Sequence, residues 1–478
     1  MLFYIYELET FPETEPEIKI YIFIRRITMK KKTISWLLAA TMTASMFAGC
    51  MTANAEEAYS GTLRWLNYKP EVADAMNEIA AAYTEETGID MKIETAASNQ
   101  YEATLTARMD STEAPAIFVI DSANMLTTWK DYIADLSGTE LYSYCMDDSY
   151  TMNDGNGYIY GISYALEHWG IIANKAILEA YFASPNKSTE YTSVDDLYTF
   201  EALKAVVEDM TALKDELGIQ GVFGSTSLRA GDDWRYQTHL MNLPLYWEWG
   251  ADVDINGAIP EFTFEYADGM KNIMDLYLNN SVTEPTLVGT KSVDDSMAEF
   301  ALGQCAMIQN GDWAWNTIAN TEGKAVADED VIFIPITIGA EGEENMGLSV
   351  TGSQYVCINS QLDEETQAAA ADFLAWLFSS ETGKEMVAQK LQFVTPFTTM
   401  ADAVYTNPLF ASASAIEAAG KTSYIPVCNL LPNQTWKDAF GANLLMYAQG
   451  QMEWDDVVKA AVDSWAVEAA YTNAAKEM

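Results

Sequence analysis

Residues 309–316 read QNGDWAWN, two tryptophans one residue apart with Asp312, Gly311 and amide side chains around them. Tryptophans in such polar company are either poorly buried or buried for a reason other than packing. A second unusual stretch is GYIYGISYALEHWGIIANK (157–175), an aromatic-rich apolar run interrupted by Glu167 and His168. A charge inside an apolar strand is costly to bury without partners, so Glu167 either faces a wet cleft or occupies an exposed alternating position. Carboxylates could serve as the acid and base of a glycoside hydrolase. With 70 acidic residues such a pair can always be imagined, yet nothing marks two of them as one. The motifs G-x-S-x-G, H-E-x-x-H and G-x-x-x-x-G-K-[ST] do not occur. Two histidines and five cysteines without a C-x-x-C pair cannot assemble a zinc site of the usual spacing. No metal and no cofactor are implied, and Cys145, Cys305, Cys357 and Cys428 read as small buried hydrophobes.

The elements that must position these residues alternate between strand and helix. TLRWLNY (62–68) is a short apolar strand, followed by Val72, Met76, Ile79 and Tyr83 at helical spacing, with a glycine stop at Gly88. Ile89, Met91 and Ile93 then alternate as a half-buried strand. A helix carries Tyr101, Leu105 and Met109 on one side, and PAIFVID ends another strand at Asp121. The βαβα order predicts a mostly parallel sheet covered by helices. Ligands of such sheets bind beyond the carboxyl ends of the strands, where Asn67, Tyr68, Asp121 and Ser122 fall. Asp121 has an alternative reading as the N-cap of a helix beginning in SANMLTTW.

At 478 residues, 49% hydrophobic and 20% charged, the chain is too long for one core and predicts two lobes. Its formal charge of -44 repels nucleic acid and anionic headgroups. No long linker separates the lobes, so short crossings must join them, one near 163–167 and a return near 348–353. From Met29 the chain reads MKKKTISWLLAATMTASMFAGC, a basic start, an apolar stretch shorter than the roughly 20 residues of a membrane-spanning helix, and a small-residue end. Residues 29–49 therefore read as an export signal and residues 1–28 as a gene-model extension. The ending FAGC resembles a bacterial lipobox with Cys50 as the lipidated residue, although Phe47 stands where that pattern prefers Leu. Cleavage after Ala55, in the A-x-A site at 53–55, is the alternative and would release a free protein.

The segments GYIYGISYALEHWGIIANK, NGDWAWNTI, FLAWLFSSETGKEMVAQK and LPNQTW resemble, in the same order, segments of the maltose-type extracellular solute-binding proteins of bacterial sugar ABC transporters. The resemblance spans nearly the whole chain after the signal. It implies a two-lobed α/β fold, hinged lobes each with a central mostly parallel sheet, and a sugar held in the cleft between them. It further implies a monomer that delivers a small-molecule carbohydrate to ABC transporter permease subunits in the membrane. Lobe 1 would comprise 59–165 plus 349–397, and lobe 2 would comprise 166–348 plus 398–478. Glu167 falls on an acidic cleft position and Asn67 on a polar one, while Trp313 and Trp436 fall on aromatic positions that stack on sugar rings. Asp121 is one place from the family's acidic position, which leaves Ser122 as the alternative contact. Tyr68, Lys69, Trp234 and His239 have no secure counterpart. A pyranose has apolar faces and a rim of hydroxyls, so tryptophans, carboxylates and amides are the side chains it needs. On this reading GDWAWN is a stacking platform at a helix start, with Asp312 as a cap, Trp313 exposed, and Trp315 and Trp376 in the core. A peptide or polyamine in the same fold is a further alternative.

Overall fold

The computed structural model describes residues 59–97, 100–352 and 354–476. The export signal, Cys50 and the A-x-A site lie outside the described residues. Among the described residues twelve strands form two sheets. In chain order they are β1 (Thr62–Asn67), β2 (Asp90–Thr95), β3 (Ile117–Ile120), β4 (Thr151–Asn153), β5 (Ile159–Ser163) and β6 (Glu167–Asn174). The rest are β7 (Gly221–Phe223), β8 (Cys305–Gly311), β9 (Val331–Ile334), β10 (Met346–Thr351), β11 (Tyr355–Ile358) and β12 (Thr422–Tyr424).

The first sheet runs β2-β1-β3-β11-β5-β4 and the second β12-β10-β6-β8-β7, with β9 also paired to β6. Parallel pairing, expected from the alternating pattern, holds for β1 with β2 and β3. Strands next to the crossings enter the other way: β11 is antiparallel to β3 and β5, and β6 is antiparallel to β8, β9 and β10. The reason is connectivity. A strand reached by crossing from the other lobe arrives from the opposite side, without the helical crossover that parallel neighbours require.

The helix Ala73–Thr87 buries Met76, Ile79, Ala80 and Tyr83 and ends at Gly88, whose φ of 80° closes it with an N–H donated to the Thr84 carbonyl. Each sheet has its own core. One gathers Trp65, Phe118, Phe373 and Phe378 and reaches as far as Met400. The other includes Leu203, Val206, Trp436 and Trp465, with Trp315 in a neighbouring cluster. Trp376 is only half-buried; it packs on the first core, its ring stacked on Phe373 at 6.0 Å. The chain passes between the sheets from β5 to β6 through Tyr164, Ala165 and Leu166, and from β10 to β11 around Gly352. A further passage leads from Met400 to the helix Pro408–Ala418.

Candidate functional site

Where these passages meet, a cleft floor is lined by Val72, Leu391, Gln392 and Phe393 from the first lobe and by Leu166, Glu167, Asp312, Trp313 and Asn316 on the second side. Strands β6 and β8 put the polar groups there. Their register sets Trp169 opposite Gly311, so His168 and Asp312 lie side by side just beyond that pair. Asp312 is buried, and its Oδ2 accepts from the His168 backbone N–H at 2.9 Å and lies 2.9 Å from His168 Nδ1. It is not the expected side-chain cap of the following helix Ala314–Asn320, because its carboxylate is committed to His168.

Trp313 is half-buried, and its ring lies directly over Gly311, where an added Cβ would stand 2.0 Å from it. Three further rings adjoin. His239 stacks on Trp169 at 4.4 Å, while Trp234 and His239 lie 6.1 and 5.4 Å from Trp313. Trp234 and His239 come from the segment around a π-helix, Arg235–Leu240. Burial, with Arg235 and Lys69 adding positive charge, pushes the His239 pKa down to about 3, so the ring is neutral. Arg235 is buried beneath them, its guanidinium 5.3 Å from the Trp234 ring centroid, and its Nε and Nη1 have no hydrogen-bond partner among the described residues. Trp234 and His239 had no motif to flag them, and Trp169 and Arg235 were missed. A tryptophan and a histidine five residues apart would have been the only local signal.

Glu167, the first residue of β6, is buried. It pairs with Lys69 Nζ through Oε1 and accepts from Gln354 Nε2 at 3.0 Å through Oε2. Burial raises its pKa to about 7 despite Lys69, with Asp312 and Glu71 adding repulsion. Burial also works against the Lys69 charge, but Glu167 and Glu71 overcome it and raise the Lys69 pKa.

Two of the expected contacts are corrected. Asn67 is wholly enclosed: its Nδ2 donates to the Lys69 carbonyl and Thr95 Oγ1, and its Oδ1 accepts from the Lys69 N–H, so it shapes the turn that presents Lys69. Trp436 is 1% exposed, donates Nε1–H to the Ala461 carbonyl at 3.0 Å and stacks on Phe440. It is core because it sits in the first turn of the helix Gln434–Ala448, with the C-terminal helix Trp454–Lys476 packed over it. Tyr68, Asp121 and Ser122 form a separate half-buried polar group on the first lobe. Tyr68 OH donates to Asp121 Oδ2 at 3.3 Å and Ser122 Oγ to Asp121 Oδ1 at 2.9 Å. Ser122, not Asp121, caps the helix Ala123–Trp129, accepting from the Met125 N–H. The four described cysteines are free, and no group of three metal-ligating side chains occurs among the described residues.

The family model described as bacterial extracellular solute-binding protein matches residues 78–418. The chain belongs to this family. Among solved structures that the solute-binding protein resembles is a chitin oligosaccharide binding protein, 17% identical, with a TM-score of 0.64 over 86% of this chain and 99% of that one. The raffinose complex of the solute-binding protein RafE is 16% identical, with a TM-score of 0.62 over 87% of this chain and 100% of the other. The maltose-bound MalE3 of T. maritima is 15% identical, with a TM-score of 0.61 over 85% and 99% of the two chains. At such identities the likeness is one of fold. No curated protein matches the chain.

Proposed function

We propose that this solute-binding protein captures a mono- or oligosaccharide in the cleft between its lobes and hands it to an ABC transporter permease. The observation that carries this reading is the half-buried Trp313 ring beside Trp234 and a neutral His239, with Asp312 at its base. Such a wall offers flat apolar area with polar groups at its edge, the combination a pyranose needs. The ligands printed for the neighbouring structures, raffinose, chitin oligosaccharide and maltose, support the same class. A polyamine fits less well, because Glu167 is already matched by Lys69 and Asp312 is already engaged by His168. With both of these carboxylates engaged, we infer binding without turnover. The substrate contacts proposed are Trp313 together with Tyr68, Asp121 and Ser122 on the opposing lobe, with Glu167 at the cleft floor.

Diacylation of Cys50 tethers a monomer to the outer face of the cell membrane, within reach of its permease. Mass spectrometry of the mature amino terminus tests the anchor, and an unmodified chain beginning at Glu56 refutes it. For the ligand, the purified protein is titrated calorimetrically with a panel of oligosaccharides and the mixtures are analysed for products. Stoichiometric binding with the sugar recovered intact is the expected result; turnover establishes a hydrolase instead, and silence across the panel removes the carbohydrate class.

A further inference from the structure

The Lys69–Glu167 pair stands where separate segments of the hinge region converge. Lys69 follows β1 of the first sheet, and Asn67 holds its backbone on both sides. Glu167 opens β6 of the second sheet at the end of the first crossing. Gln354, which donates to Glu167, lies on the second crossing. Phe393, whose ring centroid is 5.4 Å from Lys69 Nζ, belongs to the segment that bridges to Leu166 through Val394. Both charged side chains are almost completely enclosed, at 4% and 8% exposure.

We propose that Lys69 and Glu167 form an interlobe clasp that holds the lobes together in the absence of solute. Rotating the second sheet away from the β1 turn pulls one buried charge from the other, and each must then find water or remain an uncompensated charge, which is strongly unfavourable. Intact, the pair is only marginally favourable, because burial of both groups offsets their attraction. Its bias toward the closed arrangement is therefore modest, and a solute that prefers that arrangement can add to it. The inference does not depend on the solute being a sugar.

Small-angle scattering of the purified, solute-free protein tests it. The double variant Lys69→Met/Glu167→Gln removes both charges together, so it should fold with a thermal midpoint close to that of the parent and show a shift to a larger radius of gyration. Lys69→Met alone is the second variant. There Glu167 can hold a proton in its buried site, and the same expansion is expected. The pH profile separates a clasp from mere packing. Above pH 7 Glu167 is ionised and the pair is formed; as the pH falls below 7 it takes up a proton and the parent should expand. Glu167→Gln should show no such dependence. The other groups facing the pair are Glu71 on the same turn, Asp312 with His168, His239, Tyr68 and Tyr164. Asp312 and His168 pair with each other within the second lobe, so their contact does not link the lobes. An unchanged radius of gyration in both Lys69 variants overturns the proposal, as does an acid expansion that survives Glu167→Gln.

Discussion

Trp313 and Trp436 were matched to the same stacking role, and their surroundings divide them. A half-exposed ring at a cleft contributes little to the free fold, so Trp313→Ala should weaken solute binding by about 1 to 3 kcal/mol, the range of a binding hot spot, with little change in denaturant unfolding. Trp436→Ala should instead cost about 3 to 5 kcal/mol of stability, because the cavity left among Phe262, Phe440 and Trp465 cannot collapse fully. Unfolding and titration of each variant check the pair, and a strongly destabilised Trp313→Ala that binds normally moves the site elsewhere. His239 gives a prediction in pH. Its folded pKa of about 3 lies below the usual value of 6.5. The stability it contributes is therefore present above pH 6.5 and lost as the pH falls toward 3. Between pH 6.5 and 5 the parent should lose stability more steeply than His239→Gln, by up to about 1.4 kcal/mol per pH unit. Equal slopes in urea unfolding series would mean that His239 binds its proton as readily in the folded protein as in the unfolded chain. Residue types made legible the half-buried position of Trp313 and the buried one of Trp315, whereas Asn67 and Trp436 were misplaced because a motif fixes a position in the chain and not the direction in which its side chain points.

At the scale of elements, periodicity revealed what local chemistry decides. The strand at Thr62–Asn67, the helix Ala73–Thr87 with its Gly88 stop, and the strand ending before Asp121 were all legible, since each is built from contacts near in sequence. The antiparallel neighbours of β6 and β11 were not, because they follow from crossings that join residues far apart. The π-helix Arg235–Leu240 escaped as well, and with it Trp234 and His239, because its spacing breaks the 3.6-residue period used to find helices. Gly311 belongs to this scale, as the point where β8 gives way to the Trp313 ring. A Cβ there would drive the ring off the strand, so Gly311→Ala should reduce solute affinity about as much as Trp313→Ala, within the same 1 to 3 kcal/mol. Calorimetry on both variants and their combination checks this. If they act through one ring, the double variant should bind no worse than the weaker single one, and additive losses would separate them.

For the molecule as a whole, two lobes could be inferred from length and from the want of a linker; the chain passes between the two sheets at 164–166 and around Gly352, and Ser349–Thr351, expected in the first lobe, belong to β10 of the second sheet. What the sequence left dark was that the cleft floor is held by Lys69, a residue with no secure counterpart in the resemblance, since its importance comes from a partner 98 positions away. Ligand that prefers the closed arrangement should shift the population toward it. Scattering at saturation with the tightest sugar found should therefore give a smaller radius of gyration than scattering without it, and an unchanged value would indicate a rigid site. The position of β11 has a consequence for how this chain comes to exist. That strand lies in the middle of the first sheet, between β3 and β5, yet it is made of residues 355–358. Until more than 350 residues have been produced, the first lobe is two unjoined half-sheets with an open edge on each, whatever the propensities of its own segments. Its assembly has to wait for the second lobe's chain to go out and return, so a truncated product ending before Tyr355 would be left with exposed strand edges, the surfaces on which unfinished chains aggregate.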